Sequence, residues 1–398
     1  MIKEQMDKAE KNTKRLWAIQ ICIFLSGLSV FSQLYLFQPL LPNVASEFET
    51  SVGDSSLLVS SSTIGMAIGL LFFSFKADAF SRKKLMLFSL LSSAFLTLIS
   101  SHINQLEILV FLGVVKGFVI SGVSAVALAF ITEEVSSSVL GITLSMYLSG
   151  NIIGGMSGRI FATLLAGELG WRNAVLIIGI ESLFLALVFW KFFPESKFFR
   201  PQRQRLALKM RQMKTFFSDS YFLSLYFIAA LLMGSFVSVY NYLSFRLEQP
   251  PFSLNHIFIA FIFLMYTVGV FGTMLSGRWS LKYSQSTILK TSVFTMIFGV
   301  FCLFSTNVGI VIVGLGLLTF TFFAAHTMAS RMVAAKAKNA KSAATSIYWL
   351  FYYFGSSVLG SGSGYFLHAT SWFWFVGLLS LAVAVSFILT LKTQTIKF

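Results

Sequence analysis

The chain has 398 residues, of which 56% are hydrophobic and only 11% are charged, and its formal net charge is +15. Soluble domains carry about 25% charged residues, so this chain cannot cover a water-facing surface. The composition excludes a soluble enzyme, a nucleic-acid-binding protein and a disordered regulator. It indicates a polytopic membrane protein whose 45 Phe residues provide lipid-facing surface.

Long apolar runs recur along the whole sequence. A helix that crosses about 30 Å of hydrocarbon needs about 20 apolar residues, and lipid accepts only segments whose backbone groups are paired. The sequence contains twelve such runs, which we number as spans one to twelve: 17–38, 55–76, 85–101, 106–131, 139–165, 173–193, 220–243, 255–276, 286–305, 308–330, 343–366 and 372–391. The sequence therefore predicts an all-α membrane fold of twelve helices.

The breaks between the runs predict how the chain is divided. Most are short and polar, whereas residues 194–219 form one long basic break. We expect two six-helix bundles, 1–193 and 220–398, joined by a cytoplasmic linker at 194–219. The first run is too long for a signal peptide and no cleavage site follows it, so we expect it to be retained. Cys22 and Cys302 lie inside apolar runs, so neither a disulfide framework nor a metal site is expected.

Basic residues cluster at alternate breaks. With the N-terminus inside, 26 of the 30 Lys and Arg residues fall at cytoplasmic positions, whereas the outer loops hold only Arg172 and Arg246. Cytoplasmic loops of membrane proteins carry such an excess of Lys and Arg. The distribution predicts that both termini are cytoplasmic and accounts for the net charge without a nucleic-acid partner. We expect a multi-pass protein of the bacterial inner or plasma membrane.

The loop after span two carries a charged motif, Ser-Phe-Lys-Ala-Asp-Ala-Phe-Ser-Arg-Lys, which begins at Ser74. It resembles the G-x-x-x-D-x-x-G-R-K/R signature of the major facilitator superfamily, with Asp78, Arg82 and Lys83 matching. The resemblance implies a cytoplasmic latch in which the carboxylate and the arginine stabilise the outward-open state. A carboxylate four residues from an arginine can form this charge-assisted pair. The alternative is a basic cluster that only sets topology.

Span five resembles the antiporter motif G-x8-G-x3-G-P-x2-G-G of the same superfamily. Gly155 stands at the proline position and Arg159 at the last glycine position. Small residues at this spacing let two helices pack closely and shift against each other; a generic tight helix crossing is the alternative. The resemblance implies export by exchange, and it rests on these glycines: Gly141, Gly150, Gly154, Gly155 and Gly158.

Two shorter stretches point to one branch of the superfamily. The sequence Gln-Pro-Leu-Leu-Pro at 38–42 and the sequence Gly-Trp-Arg at 170–172 resemble the arabinose-efflux-permease type of drug:proton antiporters. That class often has R-x-x-Q-G in span four, but here Gly113 occupies the arginine position and Lys116 the glutamine position. Span one also lacks the carboxylate found in many drug exporters. These departures argue against an unmodified multidrug mechanism.

Ionisable residues inside spans are functional candidates because burying a charge in lipid is costly. Lys116 is expected near the midplane and Arg159 toward the outer third. Lys116 either binds substrate or forms a structural ion pair with Glu181. Glu133 and Glu134, at the end of span four, are expected to be solvated. The proton-coupling candidates are Glu181 and His326, and the substrate-binding candidates are Lys116, Arg159, Gln33, Tyr35, Asn151 and Asn241.

The sequence thus predicts a secondary active transporter that works by alternating access. No GxxxxGK[S/T] motif occurs, so neither ATP nor another cofactor is expected, and a proton gradient is the expected energy source. Two cationic side chains in a low-dielectric interior favour a small anionic or zwitterionic substrate, such as an opine-type metallophore. A multidrug or sugar exporter and an uptake permease are the alternatives. The expected partners are the lipid bilayer and this small molecule, with the protein a monomer.

Overall fold

The computed structural model describes residues 8–199, 213–337 and 341–393, apart from the side chains of Asp78 and Ser342. Within these ranges the chain forms long helices joined by short turns. In order, the spans are Lys14–Leu34 continued by Leu41–Glu47 (one), Val52–Lys76 (two), Arg82–Ser100 (three), Leu106–Glu134 (four), Ser137–Leu169 (five), Trp171–Phe192 (six), Ser220–Glu248 (seven), His256–Ile262 continued by Met265–Trp279 (eight), Gln285–Phe301 (nine), Val308–Lys336 (ten), Lys341–Ala369 (eleven) and Trp372–Leu391 (twelve).

Eleven of the described helices are long and apolar enough to cross a membrane. Span eleven is the remaining one, and at 29 residues it is as long as span ten. Its sequence is richer in Ser, Gly and Tyr, and several of its serines are buried against other helices. Polar side chains on span eleven therefore avoid lipid. The predicted all-helical, twelve-span membrane fold is confirmed.

Span one departs most from its predicted limits. The apolar run was expected to end at residue 38, but the helix stops at Leu34 and resumes as Leu41–Glu47 after a short break. Pro42 lies in the first turn of this second helix, where its missing N–H is not needed. The prediction of a loop directly after residue 38 was therefore wrong. Pro42 stands in the first turn of a second helix, because proline can begin a helix as well as follow one.

Several other spans extend beyond their apolar runs because polar residues cap them. The Ser51 hydroxyl accepts a hydrogen bond from the Asp54 amide at the start of span two. The Ser284 hydroxyl accepts one from the Thr287 amide at the start of span nine. Side chains of this kind satisfy amides that have no partner inside the helix. The apolar runs therefore place the starts of these two helices up to three residues too late.

Three motif glycines bring span five into backbone contact with span one. A Cβ atom added at Gly150 would lie 2.2 Å from the Phe24 carbonyl oxygen, and one at Gly154 would lie 2.3 Å from that of Leu28. Gly158 meets the Ser32 backbone in the same way. The predicted close packing is thus present at these three glycines. At Gly141 an added Cβ would meet nothing within 4 Å, and at Gly155 it would approach the Arg159 guanidinium instead.

The two ends of the helix bundle differ in chemistry. We call the end with the turns after spans two, four, eight and ten the basic end, and the opposite end the far end. At the far end, span two of the first half meets span eleven of the second. The Ser60 and Ser361 hydroxyls are 2.5 Å apart, and those of Thr63 and Ser357 are 2.7 Å apart. The far end is therefore closed by a hydroxyl seam, comprising Ser56, Ser60, Thr63, Ser357 and Ser361.

The glycine contacts predict a contrast between two substitutions on the same helix. Gly154→Ala should destabilise the protein by about 1–3 kcal/mol, because the new methyl group overlaps the span-one backbone. Gly141→Ala should leave stability unchanged or raise it by about 0.5–1 kcal/mol, since its space is open and alanine favours helix. Melting temperatures in detergent measure both effects. Equal melting temperatures for the two variants would contradict the packing described above.

Candidate functional site

Two buried cations lie at the same depth in the first half. Lys116 is ten residues from the far end of span four, and Arg159 is ten residues from the far end of span five. At 1.5 Å per residue, each lies about 15 Å below that end. Their side chains are 1% and 2% exposed, respectively. Arg159 was expected nearer the outer surface than Lys116, but along their helices both residues lie equally far from the far end.

The break in span one contacts both cations. The Lys116 ammonium lies 5.2 Å from the centre of the Phe37 ring, and the Arg159 guanidinium lies 4.4 Å from the centre of the Tyr35 ring. Arg159 Nε also donates a 2.6 Å hydrogen bond to the Gln38 Oε1 atom. Aromatic faces attract cations, most strongly where water is excluded. Three residues of the break, Tyr35, Phe37 and Gln38, thus contact both buried positive charges.

Arg159 also reaches the second half of the chain. Its guanidinium lies 4.5 Å from the centre of the Tyr266 ring of span eight, so two tyrosines flank it. Gln38 extends the contact, because its amide nitrogen donates a 2.7 Å hydrogen bond to Asn241 Oδ1 of span seven. The chain Arg159–Gln38–Asn241 therefore joins spans five, one and seven.

The hydrogen bond from Arg159 fixes the orientation of the side-chain amides of Gln38 and Asn241. A guanidinium can only donate, so Gln38 must present its oxygen to Arg159 and its nitrogen to Asn241. Asn241 then accepts through its oxygen, and its buried Nδ2 has no partner among the described residues. Lys116 Nζ is likewise buried without a hydrogen bond. Arg159 uses Nε and Nη1, the latter on the Gly155 carbonyl, and Nη2 donates to no described group.

Three hydrogen-bond donors at this site have no acceptor among the described residues: Lys116 Nζ, Arg159 Nη2 and Asn241 Nδ2. Within the described ranges neither cation forms a salt bridge. The ion pair between Lys116 and Glu181 that the sequence left open is therefore not formed in this structure. A site that offers several buried donors and no carboxylate can hold an acceptor-rich, anionic group.

Two predicted substrate contacts lie elsewhere. Gln33 is fully buried, donates to Ser29 within span one and accepts a 2.9 Å hydrogen bond from Thr97 of span three. Asn151 faces span one at Gly27, and its buried Oδ1 has no hydrogen-bond partner in the part of the chain described. Both amides therefore contact neighbours inside the first half. Their roles as substrate ligands stay predictions.

An aromatic wall extends from the arginine site through the second half. The rings of Phe236 and Tyr266 are 5.6 Å apart, and those of Phe236 and Phe322 stack at 4.1 Å. His326 follows on span ten, where its Nδ1 is 2.9 Å from the Tyr348 hydroxyl and its ring is 4.8 Å from that of Tyr352. Phe322, His326, Tyr348 and Tyr352 line a small cleft. The other proton-coupling candidate, Glu181, is half-buried on span six and forms no hydrogen bond with the residues described.

The comparison with protein families decides the class. The family model described as "Major Facilitator Superfamily" matches residues 21–360. The chain belongs to the major facilitator superfamily. Its members and its bacterial relatives are membrane transporters, so this protein is a multi-pass transporter of the bacterial inner or plasma membrane and not an enzyme.

Two bacterial relatives align with nearly the whole of this chain, and a third aligns with about two thirds of it. An uncharacterized transporter of Buchnera aphidicola subsp. Schizaphis graminum is 37% identical over 97% of this chain and 93% of its own. The inner membrane transport protein YnfM of Escherichia coli is 32% identical over 91% of this chain and 87% of its own. A cis,cis-muconate transport protein of Acinetobacter baylyi is more distant, at 26% identity over 64% of this chain and 63% of its own.

Solved structures of the superfamily share the fold. The inward-facing, occupied structure of a bacterial homologue of the human lysosomal transporter Spinster superposes with a TM-score of 0.77. It covers 96% of both chains at 13% identity. At this identity the similarity establishes the fold alone.

The superfamily latch motif lies at the basic end. Arg82 is buried and donates to Glu133 of span four at 2.9 Å and 3.3 Å, and to the Ala77 carbonyl at 3.1 Å. Lys83 lies 3.2 Å from Glu195, at the start of the linker. The predicted latch partner, the Asp78 side chain, lies outside the described residues. Arg82 thus connects the turn after span two with the end of span four.

The carboxylates that end span four are not free in solvent, so that expectation was wrong. Glu134 is fully buried, forms an ion pair with Arg15 and accepts a 2.9 Å hydrogen bond from the Phe198 amide. Glu133 is 27% exposed and binds Arg82. The error arose because a carboxylate at a helix end is normally solvated, whereas here the segments before span one and after span six fold over it.

Arg82→Gln should lower transport several-fold and cost about 1–3 kcal/mol of stability, because it leaves the partly buried Glu133 without its cation. Lys84→Gln is the matched control, since Lys84 is adjacent and exposed. Transport at equal membrane expression, together with melting in detergent, measures the difference. A normally stable and active Arg82→Gln variant would show that the motif sets topology only.

Proposed function

We propose that this transporter exports a small anionic or zwitterionic metabolite in exchange for protons. The observation that carries the proposal is a set of donors without an acceptor among the described residues: Lys116 Nζ and Asn241 Nδ2, which are buried, and Arg159 Nη2, for which no hydrogen bond is found. A buried ammonium persists at low cost only beside a carboxylate, water or an anion. Because no carboxylate of the described residues pairs with either cation, the substrate is the natural source of the negative charge.

The charge of the site argues against the usual multidrug cargo. Two positive side chains repel a lipophilic cation strongly in a low-dielectric interior. A neutral sugar would leave both charges uncompensated. The name of the distant Acinetobacter baylyi relative specifies cis,cis-muconate, an organic dicarboxylate. That name agrees with an anionic cargo, and an opine-type metallophore has the same carboxylate chemistry.

The basic end is proposed to face the cytoplasm, because Lys and Arg concentrate there. The structure is then inward-facing, since the hydroxyl seam closes the far end. Residues 1–193 and 220–398 act as the two moving bundles, and 194–219 is their linker. Export follows when the anion binds at the centre, the seam separates and the basic end closes. The close packing of spans one and five at the glycine motif supports exchange.

Direction and cargo can be tested together by an untargeted comparison of metabolites. Metabolites in the medium and in the cytoplasm are compared between cells that carry the gene and cells that lack it. Export predicts that the deletion strain retains an organic anion internally and loses it from the medium. Loss of uptake in the deletion strain would support a permease instead, and a neutral sugar or cationic drug as the affected compound would refute the anionic site.

Replacing Lys116 tests its role as a substrate contact. Lys116→Ala should reduce export of the identified anion by at least about tenfold, the usual effect of losing a charged hydrogen-bond donor. Lys116→Arg should keep a fraction, because it retains the charge but replaces a compact donor with a planar fork. Lys84→Ala is the exposed control. A Lys116→Ala/Glu181→Ala double variant that regains full export would show that Lys116 only balances Glu181.

Proton coupling is tested at His326 and Glu181. His326 has a ring nitrogen within hydrogen-bond distance of the Tyr348 hydroxyl, so His326→Gln should weaken proton-driven accumulation of the anion while leaving binding of the anion intact. Glu181→Gln is the parallel variant, and the carrier is the residue whose loss removes proton-driven accumulation in vesicles. Unchanged proton-driven accumulation for both variants would place proton coupling at another residue.

A further inference from the structure

We propose that Gln38 is the positioning residue that couples the anion site to the closed far end. This inference rests on the proposed anion binding at Arg159. Gln38 is fully buried in the break of span one, and it accepts from Arg159 Nε at 2.6 Å while donating to Asn241 Oδ1 at 2.7 Å. One amide therefore joins a first-half cation to a second-half helix.

The bridge continues to the hydroxyl seam. A Cβ atom added at Gly360 of span eleven would lie 3.6 Å from Asn241 Nδ2 and 3.6 Å from Ser60 Oγ. Ser60 in turn lies 2.5 Å from the Ser361 hydroxyl. The end of the Arg159–Gln38–Asn241 chain therefore sits next to the residues that hold spans two and eleven together.

The chemistry of the bridge makes it sensitive to an anion. A carboxylate is a stronger acceptor than a neutral amide and binds a guanidinium through two parallel N–H groups. A substrate carboxylate that takes the free Nη2 together with Nε therefore competes with the Gln38 oxygen for Nε. Once Arg159 turns to the substrate, Gln38 loses its charged partner and its amide is free to leave Asn241. Anion binding thereby removes a contact between the halves that is present while the far end is closed, and a ligand shifts a conformational equilibrium by such differential contacts.

A matched control lies on the same span. Gln33 is also fully buried, but its amide binds Ser29 and Thr97, both in the first half. Replacing Gln33 removes a buried amide network of similar size without touching the second half. The two glutamines therefore separate a bridging role from a general packing role.

The test measures closure of the far end in the absence of substrate. Ser60→Cys and Ser361→Cys are introduced into a Cys22→Ser/Cys302→Ser background, and the rate of oxidative cross-linking is followed in membranes. Gln38→Met, which keeps the side-chain length, should slow cross-linking about fivefold, the effect of losing the neutral hydrogen bond from Gln38 to Asn241 that joins the two halves. Gln33→Met should stay within about twofold of the parent. Gel-filtration profiles in detergent verify that both variants fold.

Two results with the single methionine variants would overturn the coupling role. One is a Gln38→Met variant that cross-links at the parental rate, and the other is an equal loss in Gln33→Met. Adding Asn241→Leu to Gln38→Met should produce no further slowing, because both substitutions break the same bridge; an additive loss would place the two residues in separate contacts and would also contradict it.

Gln38→Glu distinguishes failure of this inference from failure of the anion site. Its carboxylate still accepts from Arg159, and Asn241 can turn its amide nitrogen toward it, so the bridge and cross-linking should persist. The same carboxylate neutralises Arg159, so export of the organic anion should fall at least about tenfold, as expected for a charged contact. Retained export in Gln38→Glu would refute the anion site, whereas lost cross-linking in that variant would refute the bridge.

Discussion

The central constraint on this structure is that two positive charges are buried at one depth with no negative charge of the described residues beside them. Desolvating an ammonium or a guanidinium is costly, and aromatic faces and one amide oxygen offset only part of that cost. The protein therefore holds an electrostatic imbalance at its centre. In the export cycle that we propose, an anion completes the site, and the free energy of its binding is available to change the contacts between the two halves of the chain.

The break in span one makes this arrangement geometrically feasible. In a continuous helix with about 3.6 residues per turn, the side chains of Tyr35, Phe37 and Gln38 would point in different directions. In the irregular segment, the same three side chains contact Lys116, Arg159 and Asn241. Backbone that is not helical is tolerated at membrane depth only where protein surrounds it, and residues 35–38 are all buried. The break is thus a consequence of the site as much as of the prolines that follow it.

The sequence was sufficient for the fold because lipid imposes strong rules on length, polarity and charge. It also singled out Lys116, Arg159 and Asn241 as candidates, since polar groups inside apolar runs are conspicuous, and their role as substrate contacts stays a prediction. It did not reveal Tyr266 or the role of Gln38, because a tyrosine inside an apolar run or a glutamine at a span end is common and its partner lies far away in the chain. Gln33 illustrates the converse: it was as conspicuous as Asn241, but it faces Thr97 of span three. Which side of a helix faces the centre depends on packing that a single sequence does not encode locally.

The far end closes through hydroxyl groups rather than ion pairs, and this choice suits a contact that must open repeatedly. The Ser56 hydroxyl lies within hydrogen-bond distance of the Gly53 carbonyl of its own helix as well as of the Ser361 hydroxyl, and the Ser357 hydroxyl lies within that distance of the Tyr353 carbonyl of its own helix as well as of the Ser60 carbonyl of span two. When the seam separates, such hydroxyls keep an acceptor one turn away. Opening then exposes few unsatisfied groups, whereas separating an ion pair would leave two charges to be solvated. Because such a seam costs little to open, the proposed role of Gln38 requires only that one further contact between the halves, its hydrogen bond to Asn241, shift the balance toward closure.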